Sequence, residues 1–348
     1  MTFYCKIKDL DAYLVTLPNG LFDAKSTQVF APPQGVHFAS VNKDASHVSL
    51  SIDANSQVEK PIQIINIFHQ EHNQNNTQRI SIHVAANATI TIIHCDETFD
   101  DQAHQIQTEI DIVLEPNAIL HYYHLQNINN KSVSLSTVTV NQQENSHFFS
   151  HTISFNGQSI NKVQTIELNA LYSEATVYGL CLLDGMQRSD HTVLLQHWSP
   201  STRSLQNFKG ILDNSAQMNF KGHILVDAAA QKTEAFQHSK SLILSDKAKA
   251  RLEPFLEIYA DDVKCSHGAT VGQIHDEELF YLKSRGISEK QAKSMLMDAF
   301  SNEIVQHITI PALRTYAENL VRRRLSGDVL SCELCALAPE NTAHNETN

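Results

Sequence analysis

The chain has 348 residues, of which 42% are hydrophobic and 18% charged, and a net charge of −12. That length can bury a substantial core in one large or two modest domains, and the composition is that of an ordinary soluble globular protein. The negative balance argues against nonspecific nucleic-acid binding, and no stretch approaches the roughly 20 apolar residues of a membrane span.

The start, Met1–Lys6, has no secretory h-region, and six scattered cysteines do not make a disulfide framework, so a reducing cytoplasm is the expected compartment. Residues 1–47 read as an N-terminal segment. From Val48 to Tyr259 the dominant pattern is period-two alternation broken at regular turns. Ile80, Ile82 and Val84 alternate, turn at Ala85–Asn87, and resume at Ile90 and Ile92. Ile110, Ile112 and Leu114 turn at Glu115–Asn117 and continue at Leu120 and Tyr122. Thr137–Val140 leads through Asn141–Asn145 into Phe148–Phe155, and Ile166 and Leu168 lead into Val177–Leu183. Phe208–Leu212 turns into Phe220–Val226, and Leu242–Leu244 into Leu252–Tyr259.

These strand–turn–strand units recur about every 30 residues, with one longer gap near Arg188–Arg203, the spacing of a repeat architecture. Alternation predicts that each strand is covered on one side only, and a unit that cannot close a core alone must stack on neighbours. A parallel β-helix satisfies both. A β-sandwich or a cupin-type barrel would give a similar strand density.

After Gly272 the texture changes. Asp276–Glu278 open a short helix that closes with Lys283, Arg285 and Gly286 at the C′ position. Ser288–Gln291 reads as a capping box, followed by Ala292, Met295, Leu296, Ala299, Phe300 and Ile304 at helical spacing. Pro311 suits the first turn of another helix, with Leu313, Tyr316, Ala317, Leu320 and Val321 on one stripe and Arg322–Arg324 at its end. Residues 273–330 therefore read as a small helical domain behind a β core at 48–272. The polar tail, 331–348, is expected to be disordered.

The run Asp261–Gly272 places Cys265 and His267 two apart beside a glycine. In an extended segment both side chains face one way, and thiolate and imidazole suit iron or zinc. Together with His197–Ser204, Asn207–Leu212, Phe220–Val226, Gln237–Ser239 and Glu253–Ala260, this run resembles the D-type members of the SufB/SufD family of iron–sulfur cluster assembly proteins. The likeness runs from His197 to about Leu325 and is diffuse upstream. B-type members usually carry Glu-His-Glu-Ala where this chain has Cys265–Gly268.

The resemblance implies a mainly β fold, a right-handed parallel β-helix followed by the helical domain. It implies a non-catalytic scaffold that pairs with SufB and docks the ATPase SufC through a surface within Gly286–Leu325. It places His267, with Cys265, at the SufB interface holding a nascent iron–sulfur cluster shared with SufB, with His267 the metal ligand. Since neutral imidazole is the ligating form, cluster loading should weaken as pH falls through the histidine's titration. Alone, the chain could form a homodimer. A stand-alone iron-binding or delivery protein and a β-helix carbohydrate-active enzyme are the alternatives. Many family members carry a longer helical region before the β-helix, and this chain reaches strand-like sequence within about 50 residues.

Other constellations carry less. The histidine pairs His121/His124 and His147/His151 lie in strand-like sequence, where such spacings do not converge. Asp261 and Asp262 point to opposite faces of a strand, so a turn role is favoured over paired acid–base chemistry. Cys332 and Cys335 form a single Cys-x-x-Cys outside the contexts that zinc and redox motifs need. No phosphate-binding loop, dinucleotide fingerprint or H-E-x-x-H occurs.

Overall fold

A computed structural model describes residues 7, 9–19, 32–40, 46–68, 76–98 and 100–326. The strands are β1 (Tyr13–Asn19), β2 (Val36–Ser40), β3 (His47–Ile52), β4 (Ile62–Phe68), β5 (Asn76–Val84), β6 (Thr89–Thr98), β7 (Gln105–Leu114), β8 (Ile119–Asn127) and β9 (Val133–Gln142). They continue as β10 (His147–Asn156), β11 (Ser159–Leu168), β12 (Glu174–Leu183), β13 (Arg188–His197), β14 (Arg203–Leu212), β15 (Gln217–Val226), β16 (Glu234–Ile243), β17 (Lys249–Ile258) and β18 (Lys264–Gly272). The helices are α1 (Asp276–Ser284), α2 (Glu289–Val305) and α3 (Pro311–Ser326).

From β3 onward successive strands alternate between two sheets. One runs β1-β4-β6-β8-β10-β12-β14-β16-β18, the other β17-β15-β13-β11-β9-β7-β5-β3-β2. The ladders are parallel apart from β2 on β3. The fold is thus mainly β, a parallel solenoid of about seven turns with three helices at its C-terminus, and the parallel pairing excludes the sandwich and the barrel. Both β1 and β2 lie within 1–47 and extend the two sheets at their first edge.

Register comes from side chains that stack rung on rung. Val140, Ile166, Leu195 and Ile224 occupy one inward column across β9, β11, β13 and β15, all fully buried. Each contributes about 1.5–3 kcal/mol by leaving water, and a one-residue slip would turn the whole column outward. One corner of each turn is made by a residue in the left-handed region: Asn55, Asn87, Asn117, Asn145, Tyr172, Ser201 and Lys232. Asparagine tolerates that conformation, and here its amide also links the turns. Asn87 donates to Asn55 at 2.9 Å, Asn117 to Asn87 at 2.9 Å and Asn145 to Asn117 at 2.8 Å.

The structure departs from the sequence expectation in two places. The gap near Arg188–Arg203 is filled by β13, whose inward residues include Ser189, His191 and His197. Polar side chains in the lumen erase the apolar alternation there. Coverage is also unequal: β7, β9 and β11 alternate buried with less buried residues, whereas β4 is buried throughout and β6, β10 and β12 are buried on both faces in their second halves. The second face is covered by α2 and α3, whose Met297, Ile304, Val305, Leu313, Ala317 and Leu320 pack on residues such as Ile93, Leu125, Ile153 and Leu180.

Polar anchors fix the helices in place. Lys209, buried on the outer face of β14, donates to the Phe300 carbonyl at 3.0 Å, pairs with Glu303 and lies 4.2 Å from the Phe300 ring centroid. Tyr123 Oη meets Thr309 Oγ1 at 2.9 Å, and Arg324 donates to Asp184 at 2.7 Å. Gly286 sits at φ +84° after α1 and Ser288 Oγ accepts from the Gln291 amide at the start of α2, as the capping signals predict.

Close packing inside the lumen gives a direct test. A Cβ on Gly179 would lie 2.2 Å from two ring atoms of Phe208, which is itself stacked on Phe220 at 4.2 Å. Gly179→Ala is expected to lower stability by about 2 kcal/mol through overpacking, read as an earlier urea midpoint at unchanged slope. Gly272→Ala, with nothing within 4 Å of the added atom, should leave the midpoint in place.

Candidate functional site

The strands β17 and β18 end their sheets, so the last turn of the solenoid exposes unpaired backbone and the mouth of the lumen. β18 pairs with β16 alone, Cys265 beside Ala235, His267 beside Gln237, Ala269 beside Ser239 and Val271 beside Ser241. Those four β16 residues face the lumen and are buried. Cys265 and His267 therefore occupy the inward face of the terminal rung, side by side as their spacing requires. Among the described residues no further turn lies over them: Cys265 is half-buried against the core and His267 is exposed.

Burial pushes the Cys265 thiol up, opposed by a backbone hydrogen bond involving Ala235. In the isolated chain the sulfur is a protonated thiol, and metal binding there must displace that proton. Under His267 in the same column lie Gln237 and Gln206, buried side-chain amides with no hydrogen-bond partner among the described residues. Ile258, Tyr259 and Val271 add exposed apolar surface at this end. The end of the solenoid thus combines open strand edges, apolar patches and a Cys–His pair. Asp261 and Asp262 form the bend between β17 and β18, where the Asp262 amide donates to Gln231 Oε1 at 2.9 Å.

A second polar site lies in the closed part of the lumen. In-register pairing of β6 with β8 sets His94 beside His124, while Asp96 is two residues beyond His94 on the same face. His124 Nε2 lies 2.8 Å from Asp96 Oδ2 and His94 Nε2 3.2 Å from Asp96 Oδ1, all fully buried. Lys162 reaches across from β11, with Nζ 2.6 Å from His124 Nδ1 and 3.0 Å from Thr152 Oγ1. Burial alone would raise the Asp96 carboxyl, but the facing His94 and His124 outweigh it and hold it well below the usual carboxylate range. Burial, with Lys162 adding to it, pushes His124 down to about 3, and burial lowers Lys162 to about 7 against the pull of Asp96.

Pairing His124 with His121 by sequence spacing misses this site. His121 is on the other face of β8, stacked on Phe149 at 4.5 Å, while His147 and His151 are held apart by separate partners, Glu174 and the Tyr123 and Tyr178 rings. The signal that finds the cluster is the repeat: His94 and His124 are one turn apart.

Within Gly286–Leu325, where a partner surface is expected, part of the apolar stripe packs on the solenoid and most other residues remain at least partly exposed. The buried face of α2 is Ala292, Met297, Ser301, Ile304 and Val305, shifted from the expected stripe, and Met295 is left half-exposed. Just before that span, α1 buries no residue and presents Phe280 and Tyr281. Cys332, Cys335 and the 331–348 tail lie outside the described residues. Among the described residues no helix is long and apolar enough to cross a membrane.

The family model for the SUF system FeS cluster assembly, SufBD core domain, matches residues 67–300, from β4 into α2. An iron–sulfur cluster assembly SufBD family protein of Synechocystis is 31% identical over 274 residues, 76% of this chain and 60% of that protein. The iron–sulfur cluster assembly protein SufD of Escherichia coli is 29% identical over 312 residues, 88% of this chain and 72% of its own length. SufD of Plasmodium falciparum is 34% identical over 133 residues, 38% of this chain and 9% of that protein.

Proposed function

Because the chain belongs to the SufBD family of iron–sulfur cluster assembly proteins, we propose that it is a non-catalytic cytoplasmic scaffold of the D type, which pairs with SufB and carries the ATPase SufC. The observation that carries this reading is the terminal rung. Its two open sheet edges offer backbone donors and acceptors to strands of another solenoid, and the inward Cys265 and His267 would then be enclosed between two chains. A cluster assembled there would be cargo shared across the interface. His267 is the accessible ligand, and Cys265 joins once its proton is displaced. The outer side of the helices, with Met295 and the α1 residues Phe280 and Tyr281, is the surface left for the ATPase, whose nucleotide-driven movement would act on the interface through the packed helices.

The test is to co-express the chain with its cognate SufB and SufC under anaerobic conditions and compare wild type with His267→Ala. The expected result is a variant complex of unchanged composition by native mass spectrometry that accumulates less than about a tenth of the wild-type cluster, the scale of a lost metal ligand. A wild-type chain that recovers neither partner overturns the scaffold reading. Full cluster loading in the variant overturns the role of His267.

A further inference from the structure

The enclosed cluster around Asp96 is separate from the terminal rung and is built like a ligand set. The ligating atoms of His94, Asp96 and His124 all lie within 4.8 Å of one another. Both histidines turn Nε2 toward the same carboxylate, at 3.2 and 2.8 Å, and their rings stack at 4.7 Å with 11° between planes. Each is held from behind by its other nitrogen: His94 Nδ1 is 2.7 Å from Tyr122 Oη and His124 Nδ1 is 2.6 Å from Lys162 Nζ. Tyr122 Oη can accept the Nδ1–H of His94, the outer partner that orients a metal-binding histidine, and Lys162 can do the same for His124 only as a neutral amine, so loading the site expels the Lys162 proton. Asn66 supplies an independent observation. Its amide lies 2.6 Å from His94 Nε2 and 2.8 Å from Asp96 Oδ1, and its Oδ1 is buried with no hydrogen-bond partner among the described residues. A half-turn of the amide exchanges oxygen and nitrogen, which are assigned only by their surroundings, and so brings a carbonyl oxygen to the cluster.

We propose that His94, Asp96 and His124, with Asn66 as fourth ligand, form an interior site for a divalent first-row transition-metal ion. Two imidazoles, a carboxylate and an amide oxygen exclude the all-oxygen preference of calcium and magnesium, and the absence of sulfur disfavours copper(I). A tetrahedron with bonds of about 2.0 Å has edges of about 3.3 Å, and the 3.2 Å between His94 and Asp96 is already of that size. The preceding rung puts Ile64 in the column of His94, so the fold accepts an aliphatic side chain there. Burial on all sides makes this a closed, four-ligand site, which loads as the chain folds. It is independent of the reading of His267.

The probe is Co²⁺. The full chain is refolded anaerobically with Co²⁺ in slight excess and desalted, the retained metal is counted by mass spectrometry, and its surroundings are read by X-ray absorption. The expected result is one retained ion per chain, ligated by two imidazoles and oxygen with no sulfur. Retention should fall more than about tenfold in His94→Gln and in His124→Gln and stay unchanged in His267→Ala. No retained cobalt, a sulfur ligand, or loss of retention in His267→Ala instead overturns the site, and the first of these leaves the cluster as a network neutralised by Lys162. If His94→Gln fails to refold, the wild-type absorption spectrum decides by itself, since it counts the imidazoles directly.

Discussion

Acidification from about pH 6.5 to about pH 4.5 is expected to remove about 7 kcal/mol of stability, unfolding the protein in a range most carboxylate-rich chains tolerate. The cause is histidine. Burial, with smaller contributions from neighbouring basic groups at all but the last, pushes His124, His151, His191 and His197 down to about 3. Each titrates near 6.5 once unfolded. Between those values the unfolded chain binds protons that the native chain refuses, so stability rises with pH and is lost on acidification. Each site contributes about 1.4 kcal/mol per pH unit. One group opposes them: burial, with Asp96 beside it, raises Glu97 to about 7, so the native state keeps a proton that the unfolded state sheds, and one histidine is offset until about pH 4.5. Four histidines less the one offset by Glu97 leave a net difference of about three protons over two pH units. Urea unfolding across that range should show the midpoint falling steadily. His197→Gln, which can still reach Thr202 and Ser204, the two hydroxyls His197 meets at 2.8 Å, should reduce the slope by about one proton. An unchanged midpoint from pH 6.5 to 4.5 would refute the account.

The same polar lumen explains what the sequence conceals. Alternation in Ile80–Val84, Ile110–Leu114 and Ile166–Leu168 marks strands because the inward residues there are aliphatic, and the corners at Asn87, Asn117 and Asn145 are legible because few other residues accept the left-handed conformation. In β13 the inward column turns to serine and histidine, and the period disappears from the hydropathy while the backbone continues unchanged. Cys265 and His267 are readable as a pair because a strand alone sets their common face. His94, Asp96, His124 and Lys162 are not, because their convergence depends on the register between turns and on a second sheet facing the first. No local spacing encodes either. The helical stripe is misplaced by a residue or two for a related reason: which face α2 buries is set by the sheet it packs on, so Met295 lies outward while Met297 is buried.

Asp96→Ala is expected to cost about 4 kcal/mol in metal-free buffer, one of the largest losses for any single side chain in the lumen. It removes the acceptor from His124 Nε2 and from Asn66 Nδ2 and leaves the Lys162 ammonium without its counter-charge. Buried polar groups stripped of a partner cost about 1–3 kcal/mol each, and a broken buried ion pair about 3–5. The informative experiment is to remove the whole set. Replacing His94, Asp96, His124 and Lys162 together with aliphatic residues of similar volume removes the desolvation cost along with the attraction, and such replacements are often neutral or stabilising. The neighbouring Ile64 shows that a rung of this solenoid closes over an aliphatic side chain in that column. The quadruple variant is therefore expected to recover most or all of the loss, giving a strongly non-additive cycle by chemical denaturation. Recovery would mean that the cluster is not needed to hold the turns together, which leaves ion binding as the role argued for it. A quadruple variant as unstable as Asp96→Ala would make the network a structural keystone and remove that argument for a metal.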